Sequence, residues 1–133
     1  MSTRARNVLF VLLGVAGLVL KGRYSGPYRD SVYSYGGNLA ASFAVYFVVV
    51  HLPLRWRFPR VSAAGLALAV VELFEALNGF GVMTNVYDPA DFAVNAVGIA
   101  LAVTVDAVAD RATGSRLKRV ERDASRSTGP GAV

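Results

Sequence analysis

Four apolar blocks constrain this chain more than any other feature: Val8 to Leu20, Leu39 to Leu52, Val61 to Leu77 and Phe92 to Val108. With their neutral flanks, most approach the roughly 20 residues a helix needs to cross a bilayer at about 1.5 Å per residue. The first block is short and spans only by extending into polar flanks or where the bilayer thins. A soluble bundle would need a polar stripe along each helix. "LAASFAVYFVVVHL" and "VSAAGLALAVV" carry no charged residue on any face. Composition agrees, with 54% hydrophobic and 17% charged residues and a mean hydropathy of +0.44. The expected fold is all-α: a four-helix integral membrane bundle with short connections over residues 1–110. A basic tail follows over 111–133, its end disordered because it is polar and rich in Ser, Gly and Pro.

The charge pattern orients such a bundle. Arg4 and Arg6 precede the first block, Arg55, Arg57 and Arg60 lie in "RWRFPR", and Arg111, Arg116, Lys118, Arg119, Arg122 and Arg126 follow the last block. Four crossings bring these three segments to one side, with eleven of the fourteen basic residues. The positive-inside rule makes that side, and both termini, cytoplasmic. The tail therefore reads as topogenic charge near anionic lipid, and the net charge of +5 does not point to nucleic acid. Only Lys21, Arg23 and Arg29 fall on the other side. A cleaved leader fits poorly, since Leu18 to Leu20 offer no small-x-small site.

Against this background, residues 72–98, "ELFEALNGFGVMTNVYDPADFAVNAVG", hold Glu72, Glu75, Asp88 and Asp91 with no Lys or Arg. Glu72 and Glu75 share a helix face. Gly65, Ala69, Glu72 and Ala76 form a stripe of small residues that would face another helix. Asp88 is the expected N-cap of the last helix, one residue before Pro89, with Asp91 in its first turn. Asn95, Gly98, Ala102 and Asp106 continue a second small and polar stripe, and Asn38, Ser42 and Tyr46 mark a third. These place Asn38, Glu72, Glu75, Asp88, Asp91 and Asn95 as a candidate polar pocket. Carboxylates in an apolar layer need partners, and Lys21, Arg23 and Arg29 are the expected cations, brought over by the first loop; the cluster reads either as a structural ion-pair network that fixes helix packing or as a binding pocket.

Nothing here reads as a catalytic triad, a metal cage or a cofactor motif. The chain has no cysteine, and its one histidine, His51, sits at a helix end without clustered ligands. Tyr24, Tyr28, Tyr33 and Tyr35 read as an interfacial anchoring belt, as do Trp56 and Phe58 on the opposite side.

The run Glu72 … Asp88-x-x-Asp91-x-x-x-Asn95-x-x-Gly98 resembles the VanZ-like family of small bacterial and archaeal membrane proteins. That family commonly carries Gln where Glu75 stands, and Arg where Asn85 stands. Lys21, Tyr24, Gly26 and Pro27 resemble an uncharacterised bacterial family related to it. The resemblance implies a multi-pass protein of the plasma membrane, a link to glycopeptide antibiotic resistance, and no established biochemical activity. The expectation is a non-enzymatic envelope protein whose outward-facing acidic pocket takes the headgroup of a membrane lipid or a lipid-linked cell-wall precursor. Two other classes stay open: a membrane enzyme acting on a lipid-linked substrate, and an ion-coupled transporter subunit. The latter would need a homo-oligomer to enclose a pathway.

Overall fold

The computed structural model describes residues 2–53, 58–79 and 88–127, with residues 78–79 and 116–127 as helical backbone only. Four helices account for the described secondary structure: α1 (Thr3–Lys21), α2 (Arg29–His51), α3 (Pro59–Gly79) and α4 (Ala90–Ser127). Their ends follow local chemistry. Ser2 caps α1, its Oγ accepting from the Ala5 N–H at 3.3 Å, and Lys21 closes the last turn, where a cation favours the helix dipole. α2 enters through Tyr28, which takes the left-handed conformation at φ 60°, and ends before Pro53. Pro59 opens α3, where its missing N–H costs nothing. Asp88 Oδ1 accepts from the Ala90 N–H at 2.9 Å and so starts α4.

α2 begins well before the expected apolar boundary at Leu39. Arg29–Gly37 is helical, so the first connection shrinks to Gly22–Tyr28. Its tyrosines and glycines look like loop residues, but Asp30 in the first turn and burial of Gly37 hold this stretch as helix.

The chain divides into two units, Met1–Val103 and Thr104–Val133. In the first, α2 packs against both α1 and α3. The seam with α1 is tight: a Cβ at Gly14 would lie 2.7 Å from Ala44 Cβ and 2.9 Å from Ala40 O, and one at Gly17 would lie 3.2 Å from Ala40 Cβ. Beside it Phe10, Phe43, Phe47 and Tyr46 stack edge to face and tilted, with neighbouring centroids 4.7–6.4 Å apart. α4 meets α2 where Gly98 faces Ser42. A Cβ there would collide with Ser42 Oγ and come within 2.8 Å of Leu39 O.

The second unit is the continuation of α4. The boundary expected between residues 110 and 111 falls inside an unbroken helix that runs to Ser127. The polar run 111–127 is rich in Arg, which with Ala112, Leu117, Lys118, Glu121 and Ala124 favours helix. Thr113 and Ser115 return their hydroxyls to the carbonyls of Ala109 and Arg111, both at 2.9 Å. The expected disordered end lies partly beyond Ser127, outside the described residues.

Burial is inverted relative to a soluble bundle. Val8, Leu12, Leu13, Val19, Leu73, Phe74, Val97 and Val108 are exposed, while Arg6, Asn7, Ser42, Glu75, Asn95 and Asp106 are buried. Exposed apolar surface on this scale marks contact with an apolar environment. α1, α2 and Ala90–Ser115 of α4 are long and apolar enough to cross a membrane. α3 is not one of the three. It is 21 residues long and carries Arg60 near its start and Glu72 and Glu75 towards its end.

Candidate functional site

Glu72 on α3, Asn38 on α2, and Asp91 and Asn95 on α4 come together within the first unit. The α4 stripe turns inward as its spacing implies: Asn95 is 2% and Ala102 0% exposed. The α2 stripe does the same, with Ser42 and Tyr46 fully buried and Asn38 half-buried one turn above Ser42. The α3 stripe differs. Its buried face is Ala63, Ala67, Val71 and Glu75, whereas Gly65 and Ala69 are exposed. A Cβ on Gly65 would meet nothing within 4 Å. Small residues surround α3 on several sides, so close approach is sterically open to more than one face. The consequence is that Glu75 is buried and Glu72 stands at the edge of the packed face.

Most of the partners resolved for the carboxylates are neutral. Asn38 lies close enough to the Asp91 carboxylate to act on it. Tyr35 donates its hydroxyl to Asp88 Oδ2 at 3.3 Å, while Asp88 Oδ1 is occupied by the Ala90 N–H. Asn95 faces Glu72 closely enough to act on it. Yet among the described residues Glu72 Oε2 and Asn95 Nδ2, both buried, have no hydrogen-bond partner.

The expected cations sit elsewhere. Lys21 donates from Nζ to the Tyr33 carbonyl at 3.2 Å and lies 5.1 Å from the centroid of the Tyr33 ring. It fills the space a side chain at Gly37 would take, and its field reaches Asp91 without an ion pair. Arg23 and Arg29 are exposed. Among the described residues, Lys21, Arg23 and Arg29 form no ion pair with Glu72, Asp88 or Asp91. The reason is reach and competition: Lys21 ends α1, where the Tyr33 carbonyl and ring on α2 are nearer.

Tyr35, expected in an interfacial belt, instead joins the acidic cluster through Asp88. Its spacing to Asn38 (i, i+3) would have placed it there had α2 been extended back to Arg29. Tyr28 and Tyr33 are exposed, and Tyr24 bonds its own loop at Pro27 O, 3.1 Å away. Arg55, Trp56, Arg57 and Asn85 lie outside the described residues.

Beside the cluster, a groove of about 460 Å³ opens between α2 and α4, lined by Ser31, Val32, Tyr35, Gly36, Leu39, Ala93, Val94 and Val97. Its walls are almost wholly carbon. Ser42 Oγ donates to the carbonyls of its own helix, Asn38 O at 2.7 Å and Leu39 O at 3.1 Å. Among the described residues, no group of three His, Cys, Asp or Glu side chains could hold a metal ion.

Comparison with known proteins adds no kinship: no family model, no curated protein and no solved structure matches this chain.

Proposed function

We propose that this chain is a plasma-membrane protein crossing four times, with both termini cytoplasmic, and that Glu72, Asp91, Asn38 and Asn95 line an outward-facing pocket for a polar headgroup. The headgroup belongs to a membrane lipid or a lipid-linked envelope precursor. Kinship with VanZ-like proteins is part of the proposal and rests on Glu72, Asp88, Asp91, Asn95 and Gly98.

One observation carries the reading: two carboxylates from two helices, Glu72 and Asp91, stand close to the amides of Asn95 and Asn38 and form no ion pair among the described residues. A purely structural role is served better by an ion pair or an apolar contact, because each polar group held away from water costs about 1–3 kcal/mol when incompletely bonded. The binding role accounts for donors and acceptors kept partly open beside an apolar groove. Lipid mass spectrometry of protein purified in mild detergent tests it. A co-purifying lipid class that is lost on Glu72→Gln or Asn38→Leu is the expected result; a lipid profile identical in wild type and variants overturns the pocket. Reporter fusions after Val133 and within "RWRFPR" test the topology. Both should report cytoplasm, and a periplasmic signal from either removes the four-crossing arrangement.

A further inference from the structure

Along the α2–α4 groove the residues run in the order of a lipid, charge first and carbon after. On α4, Asp88 and Asp91 stand at the head of the helix, and Ala93, Val94 and Val97 line the groove just beyond them. On α2, Tyr35 lines the groove and donates its hydroxyl to Asp88 Oδ2 at 3.3 Å, and Leu39 lines it one turn further in. Both helices are long and apolar enough to cross a membrane. Asp88 therefore marks the end of the groove that meets the headgroup layer, and the carbon walls lie in the acyl layer.

The rim is anionic and open. Asp88 is half-buried, with Oδ1 accepting from the Ala90 N–H and Oδ2 from Tyr35. Each carboxylate oxygen keeps a second acceptor position, and no cation among the described residues pairs with Asp88 or Asp91. A positively charged donor completes such a rim best, because charge-assisted hydrogen bonds are the strong ones. A bare phosphate would meet it as like charge.

Width decides between occupants. The groove of about 460 Å³ reaches from Ser31 to Leu39, about 12 Å along the helix, so its section averages about 40 Å². A helix about 10 Å across has a section of about 80 Å². The groove is too narrow to seat a helix of a second copy, and it suits an acyl chain.

We propose that Asp88 takes the ammonium group of an aminophospholipid and that the α2–α4 groove takes one of its acyl chains. The proposal rests on the headgroup reading above, and it names the lipid class and the carboxylate that selects it.

The test uses the full chain in mild detergent, titrated with phosphatidylethanolamine, phosphatidylcholine and phosphatidylglycerol of matched chains and read by native mass spectrometry. The first two carry the same charges, but only phosphatidylethanolamine has N–H donors on its ammonium group. It should be retained about tenfold more strongly than phosphatidylcholine, the worth of one hydrogen bond to a charged group. Asp88→Asn should abolish that preference. Asn caps a helix as well as Asp does, so the start of α4 survives the change. Gly36→Leu fills the groove from a position where a Cβ would meet nothing nearer than Val32 Cγ1 at 3.7 Å. It should lower retention of all three lipids several-fold, as should Ala93→Leu from the opposite wall. Equal retention of phosphatidylethanolamine and phosphatidylcholine, or a preference that survives Asp88→Asn, overturns the ammonium site. Retention unmoved by both groove variants overturns the seated chain. A lipid-free dimer that Gly36→Leu dissociates gives the groove to a second copy and overturns it too. If the aminolipid preference fails while Glu72→Gln still strips a lipid, this proposal falls and the headgroup reading stands; no lipid retained by the wild type overturns both.

Discussion

α2 makes two seams that use the same steric device for different ends. Towards α1, Gly14 and Gly17 admit Ala40 and Ala44, and an aromatic cluster fills the space alongside. Towards α4, Gly98 admits Ser42, and the space alongside holds Asn38, Asp91 and Asn95. In lipid there is little hydrophobic drive between helices, so both seams depend on close backbone approach and dispersion. The α1 side also buries polar groups, Arg6 and Asn7, but Arg6 donates to Asn7 Oδ1 there. On the α4 side Glu72 Oε2 and Asn95 Nδ2 stay unbonded among the described residues, which weakens the packing.

The largest expected effect breaks the α4 seam. Gly98→Leu forces a side chain into Ser42 and the Leu39 carbonyl, and should cost about 3 kcal/mol of stability, the upper end for overpacking. Val97→Leu, on the exposed side of the same turn, should change stability by no more than about 0.5 kcal/mol. Thermal unfolding in detergent measures both; equal tolerance would place the wrong face inside.

Next comes the α1 seam. Gly14→Ala adds one methyl against Ala44 Cβ and Ala40 O, and should cost about 2 kcal/mol. Gly65→Ala, in open space, should stabilise by about 0.5–1 kcal/mol through helix propensity. A Gly14→Ala variant as stable as Gly65→Ala would dissolve the α1 seam as described.

A smaller effect, of opposite sign, separates the two seams. The double variant Glu72→Met with Asn95→Leu replaces two incompletely bonded polar side chains by apolar ones of similar volume. It should raise stability by about 1 kcal/mol, because the desolvation cost disappears with the groups. Retention of any headgroup should fall at the same time, the usual exchange between stability and a binding site. A loss of more than about 2 kcal/mol would show that the pair holds helices together instead.

The smallest expected effect concerns Lys21. Lys21→Met removes a bond to the Tyr33 carbonyl and a contact with its ring, both near the end of α1, and should cost about 0.5–1 kcal/mol. A cost several times larger in chemical unfolding would mean that Lys21 is the true counter-ion of Asp91.

Much of this architecture is local and so legible in the residues alone. Four helices, their apolar character, Asp88 at the head of α4, and the inward stripes of Asn38–Ser42–Tyr46 and Asn95–Gly98–Ala102 all follow from interactions spanning one turn or from 3.6-residue periodicity. Tertiary structure decided the rest. It chose Ala63, Ala67, Val71 and Glu75 over Gly65, Ala69 and Glu72 as the packed face of α3, since a helix with small residues on several sides has no single steric preference. It extended α2 back to Arg29 and thereby brought Tyr35 to Asp88. It also set Asp91 beside the Asn38 amide and left Lys21 on Tyr33, because partner choice between helices depends on their rotation and relative depth, and no periodicity within one helix encodes either.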